Sequence, residues 1–184
     1  MILFIDFETT GLLKPDALGA SVQPHIIEVC GKVYAESELD CVELVDEYHA
    51  LIKPPIDIPP KITKVTGIDA GMLADAEPFA AHVERLQSLF LGVETLVAHN
   101  AEYDKGVLWW ELKRLNLEKS FPFAPKTICT VDTSMSIKRY RLKLIDLFEI
   151  ATGERYDEKA HRADNDVDSL VECYRFLKEK GLIV

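Results

Sequence analysis

The opening run MILFIDFETTG constrains this chain more than any other stretch. Residues 2–7 are apolar except for Asp6, and a second acid, Glu8, follows two positions later. Successive side chains of a β-strand point to opposite faces, so residues two apart share one face. A strand over residues 2–7 therefore aims both carboxylates the same way from a hydrophobic sheet. Adjacent like charges repel, and buried ones are costly unless something compensates them. Two outcomes remain open: the strand ends early and both acids are solvated, or a cation sits between them.

The rest of the chain is expected to build one domain, residues 1–184, around that strand; 184 residues are enough for a substantial core. With 48% apolar and 28% charged residues, the composition is that of a globular chain and not of a disordered one. No apolar run approaches the roughly 20 residues of a membrane span. The N-terminus lacks a basic segment and meets Asp6 too early for a signal peptide. Cys30, Cys41, Cys129 and Cys173 form no C-x-x-C pair, which argues against zinc and for reduced thiols in the cytoplasm. The net charge of −10 argues against a broad nucleic-acid-binding surface but not against an enzyme that gathers acids to hold cations. The densest basic patch is SIKRYRLK, with Lys138, Arg139, Arg141 and Lys143.

Three β-rich segments, residues 2–7, 26–34 and 42–52, predict a meander. The stretch KPPIDIPPKITKVTGID carries four prolines and reads as an irregular structured loop. Residues 78–91 predict a helix with Phe79, Val83, Leu86 and Phe90 at helical spacing. ETLVAH reads as a short buried strand, residues 101–115 as a helix, and KTICTVDT as a fifth strand. Helices are expected over 142–151 and 164–180, the second stopping at Gly181. A meander followed by alternating helix and strand gives an α/β chain layered around one mixed sheet.

Asp104 follows VAHN at a strand-to-helix junction, where ligands gather in open α/β sheets. Equally, Asn100 could cap that helix and Asp104 could simply favour its positive end. In the last helix the apolar stripe is Val167, Leu170, Val171, Tyr174 and Leu177. Asp166 borders this stripe, whereas Asp168 falls on the solvent side. His161 stands five residues before Asp166, in HRADND.

Taken together, FIDFETTGL, KVTGID, LVAHNAEYD, VDT and HRADNDVDSL resemble the DEDDh (DnaQ-like) family of 3′–5′ exonucleases. That group contains the proofreading subunit of bacterial replicative polymerases, ribonuclease T and oligoribonuclease. The motifs occur in the family's order and cover nearly the whole chain. Tyr103 stands where the family often has Phe, and the loop over residues 12–23 is longer than in compact members. A haloacid-dehalogenase-type phosphatase would need Asp instead of Glu8 and lacks the late histidine-aspartate pair. Inactive relatives usually lose at least one of the acids and none is missing here, which leaves a nucleic-acid-binding scaffold on an inactive nuclease fold as the lesser alternative.

The resemblance implies an RNase H-like fold, a central mixed five-stranded sheet flanked by helices, and two divalent cations, Mg²⁺ or Mn²⁺. It implies that Asp6 bridges both ions, that Glu8 and Asp166 hold the ion beside the attacking water, and that Asp104 orients the other. Such ions, about 3.5–4 Å apart, stabilise the attacking and leaving oxygens of an in-line displacement. His161 is implied as general base on the water, since imidazole titrates near working pH. Thr9, Thr10 and Gly11 are expected either to present amides to the terminal sugar or only to turn the chain. The resemblance implies that Gly67 and Ile68 form the terminal-nucleotide pocket, with Ile68 wedged against a base; the alternative is an ordinary proline-rich surface turn. His99 and Asn100 are expected near the substrate, with Lys138, Arg139 and Arg141 on upstream phosphates. The implied substrate is the 3′ end of nucleic acid, single-stranded or frayed DNA ahead of RNA, with nucleoside 5′-monophosphates as products. An RNA-trimming exoribonuclease is the alternative. No polymerase domain is present in the chain, which leans towards a stand-alone enzyme, with a polymerase partner or a homodimer as further options and no membrane.

Overall fold

The structure is a computed structural model and describes residues 1–35, 43–156 and 162–183. In chain order the first elements are β1 (Ile2–Thr9), β2 (Ile26–Ala35), β3 (Glu43–Leu51), α1 (Pro60–Thr66) and α2 (Phe79–Phe90). They are followed by β4 (Thr95–Ala98), α3 (Ala101–Arg114), β5 (Lys126–Cys129), α4 (Thr130–Lys138), α5 (Leu144–Thr152) and α6 (Ala163–Glu179). Two short 3₁₀ turns, Asp16–Leu18 and Ala20–Val22, lie between β1 and β2.

The five strands form one sheet in the order β3-β2-β1-β4-β5. β1 pairs antiparallel with β2 and parallel with β4; β3 is antiparallel to β2, and β5 parallel to β4. The sheet is therefore mixed, with β1 at its centre.

Strand alternation divides β1 between two cores. Leu3, Ile5 and Phe7 enter a core with Val83, Leu86 and Phe90 of α2 and Val107, Leu108 and Leu112 of α3. Ile2 and Phe4 enter a second core with Val167, Leu170 and Tyr174 of α6. Phe4 meets Tyr174 edge-on with ring centroids 5.2 Å apart, fixing α6 across the sheet. Continuing that even-numbered face along the strand leads to Asp6 and Glu8, so α6 covers the same face that carries the acids.

Two expectations are corrected. The proline-rich segment does contain regular structure: Pro60–Thr66 is helical, with Pro60 in the first turn, where its missing N–H costs nothing. Gly67, at φ 73°, ends that helix in the left-handed conformation. The fifth strand stops at Cys129 because its partner β4 offers only residues 95–98 for pairing. Thr130–Lys138 then turns helical, so the motif VDT lies in α4 and not in a strand. Its β-branched residues masked the change of period. The remaining helices start or stop within two residues of the expected positions.

The long connection after β1 lies against α3. Arg114 donates from Nη2 to the carbonyls of Ala20, Gln23 and Pro24. Leu13 packs over Gly106, where an added Cβ would meet Leu13 Cδ1 at 2.6 Å.

Phe4, fully buried between β1 and α6, tests this architecture. Phe4→Ala should lower unfolding free energy by about 3–5 kcal/mol in chemical denaturation. Leu12→Ala, at a side chain 74% exposed, should stay within about 0.5 kcal/mol of the parent.

Candidate active site

The carboxyl ends of β1 and β4 and the first turns of α3 and α6 converge on one place. Ligand oxygens of Asp6, Glu8 and Asp166 all lie within 4.8 Å of one another. Asp6 and Glu8 come from the even face of β1, and Asp166 from the first turn of α6. Asp104 joins from the first turn of α3, nearly fully buried, with its carboxylate accepting the amide of Phe7. Of the two outcomes left open by the opening run, the strand does not end early: β1 continues through both acids to Thr9.

Crowding of these carboxylates appears in their protonation. Burial, then repulsion from Asp104, Glu8 and Asp166, raises Asp6 well above the usual carboxylate range. Burial, then Asp166, Glu28 and Asp104, pushes Glu8 up to about 8. Burial lifts Asp104 to about 7, against the Phe7 amide that favours its ionised form. Three acids with oxygens within reach of one another, and buried Asp104 beside them, fit a hard divalent cation, which prefers carboxylate oxygen to nitrogen or sulfur.

The surroundings hold these acids in place. Tyr156 donates its hydroxyl to Asp166 Oδ1. Tyr103, next to Asp104, donates to the carbonyl of Gly11 at 2.7 Å and lies 2.5 Å from the Thr9 hydroxyl. The Phe-to-Tyr departure thus adds a tie between α3 and the turn after β1. Glu28, directly opposite Glu8 across the β1–β2 pair, is fully buried. Arg162 donates to it from Nε at 2.9 Å and from Nη2 at 2.5 Å, His49 Nε2 lies 2.8 Å from it, and the Ala163 amide donates at 3.2 Å. Burial pushes the Glu28 carboxyl up, but Arg162, His49 and the Ala163 amide outweigh it and hold it below its ordinary value. Glu28, Arg162, Tyr156 and the role of Tyr103 were not anticipated from the sequence. IIEVC, an acid inside an apolar strand, carried the same signal as FIDFE.

The expected substrate residues fare unevenly. The Thr10 amide donates to the His25 carbonyl, so it cannot also serve a sugar; the Thr9 hydroxyl donates to Gly11. Ile68 is fully buried with Ile27 and Leu73 and is not placed to wedge against a base, a correction that follows from its apolar contacts. Gly67 borders open space, with nothing within 4 Å of an added Cβ. His99 is tied on both ring nitrogens: one lies 2.9 Å from the Thr130 hydroxyl, and Nε2 lies 3.2 Å from the Leu142 carbonyl. Burial lowers its pKa to about 4, so it is a neutral tie between β4 and the 139–142 turn. Asn100 takes a left-handed backbone, φ 100°, and makes no side-chain cap to α3; its Oδ1 instead accepts from Arg141 Nη2 at 3.3 Å. Lys138, Arg139 and Arg141 are exposed, with Arg141 also 3.2 Å from Asp132. Asp168 is exposed and paired with Lys32. His161 lies outside the described residues.

A mixed sheet with acids gathered at the end of its central strand defines an α/β protein with a carboxylate site suited to divalent metal. The sequence profile of the RNase T exonuclease family matches residues 3–174, and the chain belongs to that family. Its relatives include a PolC-type DNA polymerase III of Caldanaerobacter subterraneus, 28% identical over 95% of this chain and 11% of that protein. Another is the DNA polymerase III subunit epsilon of Pasteurella multocida, 30% identical over 74% of this chain and 50% of that protein. The chain therefore spans half or less of these relatives' length. Among solved structures, the nuclease domain of the DEDDh member 3′hExo superposes with a TM-score of 0.74, covering 98% of this chain and 92% of that one at 19% identity. Exonuclease X superposes with a TM-score of 0.67, covering 100% and 95% at 20% identity. The fold is RNase H-like, and the DEDDh family works with divalent metal ions.

These raised carboxyl pKa values make stability depend on pH. A group whose folded pKa lies above its unfolded value stabilises the fold below the unfolded pKa and loses that contribution as pH rises through the folded one. For Glu8 the window runs from 4.5 to about 8. With chelator present, Tm should fall as pH rises across that window, and saturating Mn²⁺ should flatten the slope. A chelated protein whose Tm rose steadily over the same range would contradict the assignment.

Proposed function

We propose that this chain is a single exonuclease domain that removes nucleotides from the 3′ end of nucleic acid and releases nucleoside 5′-monophosphates. The observation that carries it is the convergence of Asp6, Glu8 and Asp166 within 4.8 Å, beside buried Asp104. These four residues would hold two divalent ions, Mg²⁺ or Mn²⁺, which when bound stabilise charge on the attacking and leaving oxygens of the phosphodiester. Asp6, which feels Asp104, Glu8 and Asp166 together, would be the acid that holds metal in common with all three. Glu8 and Asp166 serve the side of the attacking water, and Asp104 the other. His161 takes the proton from that water as general base.

The chain's own residues also position the substrate. The turn at Gly11, tied to Tyr103, and the open side of Gly67 receive the terminal nucleotide. Arg141 reaches Asn100 beside α3, which brings the basic turn of Lys138, Arg139 and Arg141 to the acid edge of the sheet. These cations take phosphates upstream of the scissile bond.

The preferred substrate in this reading is single-stranded or frayed DNA, in line with polymerase III relatives. A polymerase is the candidate partner, and a homodimer the other option. The setting is the cytoplasm, which suits the free thiols of Cys30, Cys129 and Cys173. Among the described residues no helix is long and apolar enough to cross a membrane. The deciding experiment supplies 5′-labelled DNA and RNA, single- and double-stranded, with Mg²⁺ or Mn²⁺, and sizes the products. A ladder shrinking from the 3′ end supports the reading; release of labelled 5′ mononucleotide, or no cleavage, overturns it. Faster trimming of RNA would reassign the substrate.

Substitutions separate the roles. Asp6→Ala should abolish divalent-dependent hydrolysis while the fold persists, whereas Asp168→Ala should keep near-parent turnover. His161→Ala should lower turnover by about 10²–10⁴-fold with metal affinity in calorimetry unchanged; collapse of metal binding would make it a ligand instead.

The basic turn has its own signature. Log affinity for single strands falls with log salt by about 0.7 per phosphate contact. Changing Lys138, Arg139 and Arg141 together to Gln should flatten that slope by roughly two units and raise KM on long oligonucleotides. Turnover of a dinucleotide should stay unchanged. An unaltered slope would remove these residues from the substrate path.

A further inference from the structure

Glu28 is an unusual neighbour for a carboxylate site. It is completely buried, and it lies directly across the strand pair from Glu8. It adds to the repulsion that raises both Asp6 and Glu8. A buried carboxylate there works against the acids beside it unless it serves something else. Its partners show what that is.

Arg162 holds Glu28 through two different nitrogens, Nε and Nη2, a fork that fixes orientation as well as charge. The amide of the next residue, Ala163, donates to the second Glu28 oxygen. One helical turn on, the amide of Asp166 donates to the Arg162 carbonyl at 3.0 Å. A continuous path therefore runs from the cross-strand partner of Glu8, through Arg162, into the backbone of Asp166. Arg162 and Ala163 are the entry to α6, and Glu28 is what that entry is fastened to.

We propose that the Glu28–Arg162 pair is a positioning device that sets the approach of Asp166 to Asp6 and Glu8, and so governs divalent-metal affinity without touching metal or substrate. This rests on the reading that those acids hold metal. Residues that orient metal ligands from behind typically influence affinity by about 10–100-fold when changed.

Electrostatics and positioning predict opposite signs here. Arg162 is a cation that lowers the Glu8 pKa. Removing it unmasks Glu28 and makes the site more negative, so by charge alone metal should bind more tightly. If the pair positions Asp166, metal should bind more weakly.

The test is calorimetric titration of Mn²⁺, with Tm measured on the same samples, for the parent, Arg162→Gln, Arg162→Lys and the double variant Glu28→Gln with Arg162→Gln. The double variant removes one charge of each sign and leaves no buried unpaired ion, which keeps it folded. It should bind Mn²⁺ about 10–100-fold more weakly, with Tm near the parent's. Arg162→Lys, which keeps the charge but cannot form the fork, should also bind more weakly, and its kcat should fall more than its KM changes. Unchanged or tighter Mn²⁺ binding by the folded double variant would overturn the proposal, leaving the pair as packing only. Asp6→Ala is the separate control on the metal reading: a parent that binds Mn²⁺ no better than Asp6→Ala would sink that reading and this role with it.

Discussion

Mutual repulsion among carboxylates at the end of β1 is the constraint to which the rest of the structure answers. The even face of that strand changes from Ile2 and Phe4 to Asp6 and Glu8 within a few residues. Up to Phe4 the face is covered by apolar side chains of α6, whose stripe continues through Val167, Leu170 and Tyr174. Past that point the same helix supplies Asp166 rather than another hydrophobe. A fold seeking only stability would have placed an apolar residue or a partnered cation there. Instead burial raises the pKa values of Asp6, Glu8 and Asp104, with repulsion from neighbouring acids adding to it at Asp6 and Glu8, a pattern that clusters at functional sites.

Legibility followed the same line. The strand period exposed Asp6 and Glu8 as a same-face pair, and the helical stripe marked Asp166 as a border residue; both are local periodicities. Asp104 could be placed at a strand-to-helix junction but not distinguished from a helix-terminus acid, because its contact with the Phe7 amide joins residues far apart in the sequence. The surroundings of Ile68 and His99 lay out of reach of sequence for a related reason. Their sequence neighbourhood matched a motif, whereas their roles depend on Ile27, Leu73, Thr130 and Leu142, which only the tertiary fold brings near. The α1 helix was hidden by prolines that in fact open it, and α4 by threonine and valine that read as strand.

Rigidity at the site comes from ties that cross between elements. Tyr103 joins α3 to the turn after β1, His99 joins β4 to the 139–142 turn, and Arg114 fastens the long loop along α3. Each uses a polar group with a buried or half-buried partner, where a hydrogen bond is costly to leave unmade. The acids are thus carried on strand and helix ends held at several points, which favours a fixed separation over a compliant one.

Such fixed separation also answers how a chain of net charge −10 could hold a polyanion. Long-range attraction is absent, and exposed charges more than about a Debye length away are screened in any case. What remains is local. On one side stand carboxylates that call for divalent cations, and those cations in turn attract phosphate. On the other, the exposed cations of the 138–141 turn are linked through Arg141 to Asn100 at the mouth of the site. In the proposed reading, this arrangement would grip a substrate near its end. In that reading a net charge of −10 would weigh against long tracts of nucleic acid and in favour of engaging termini.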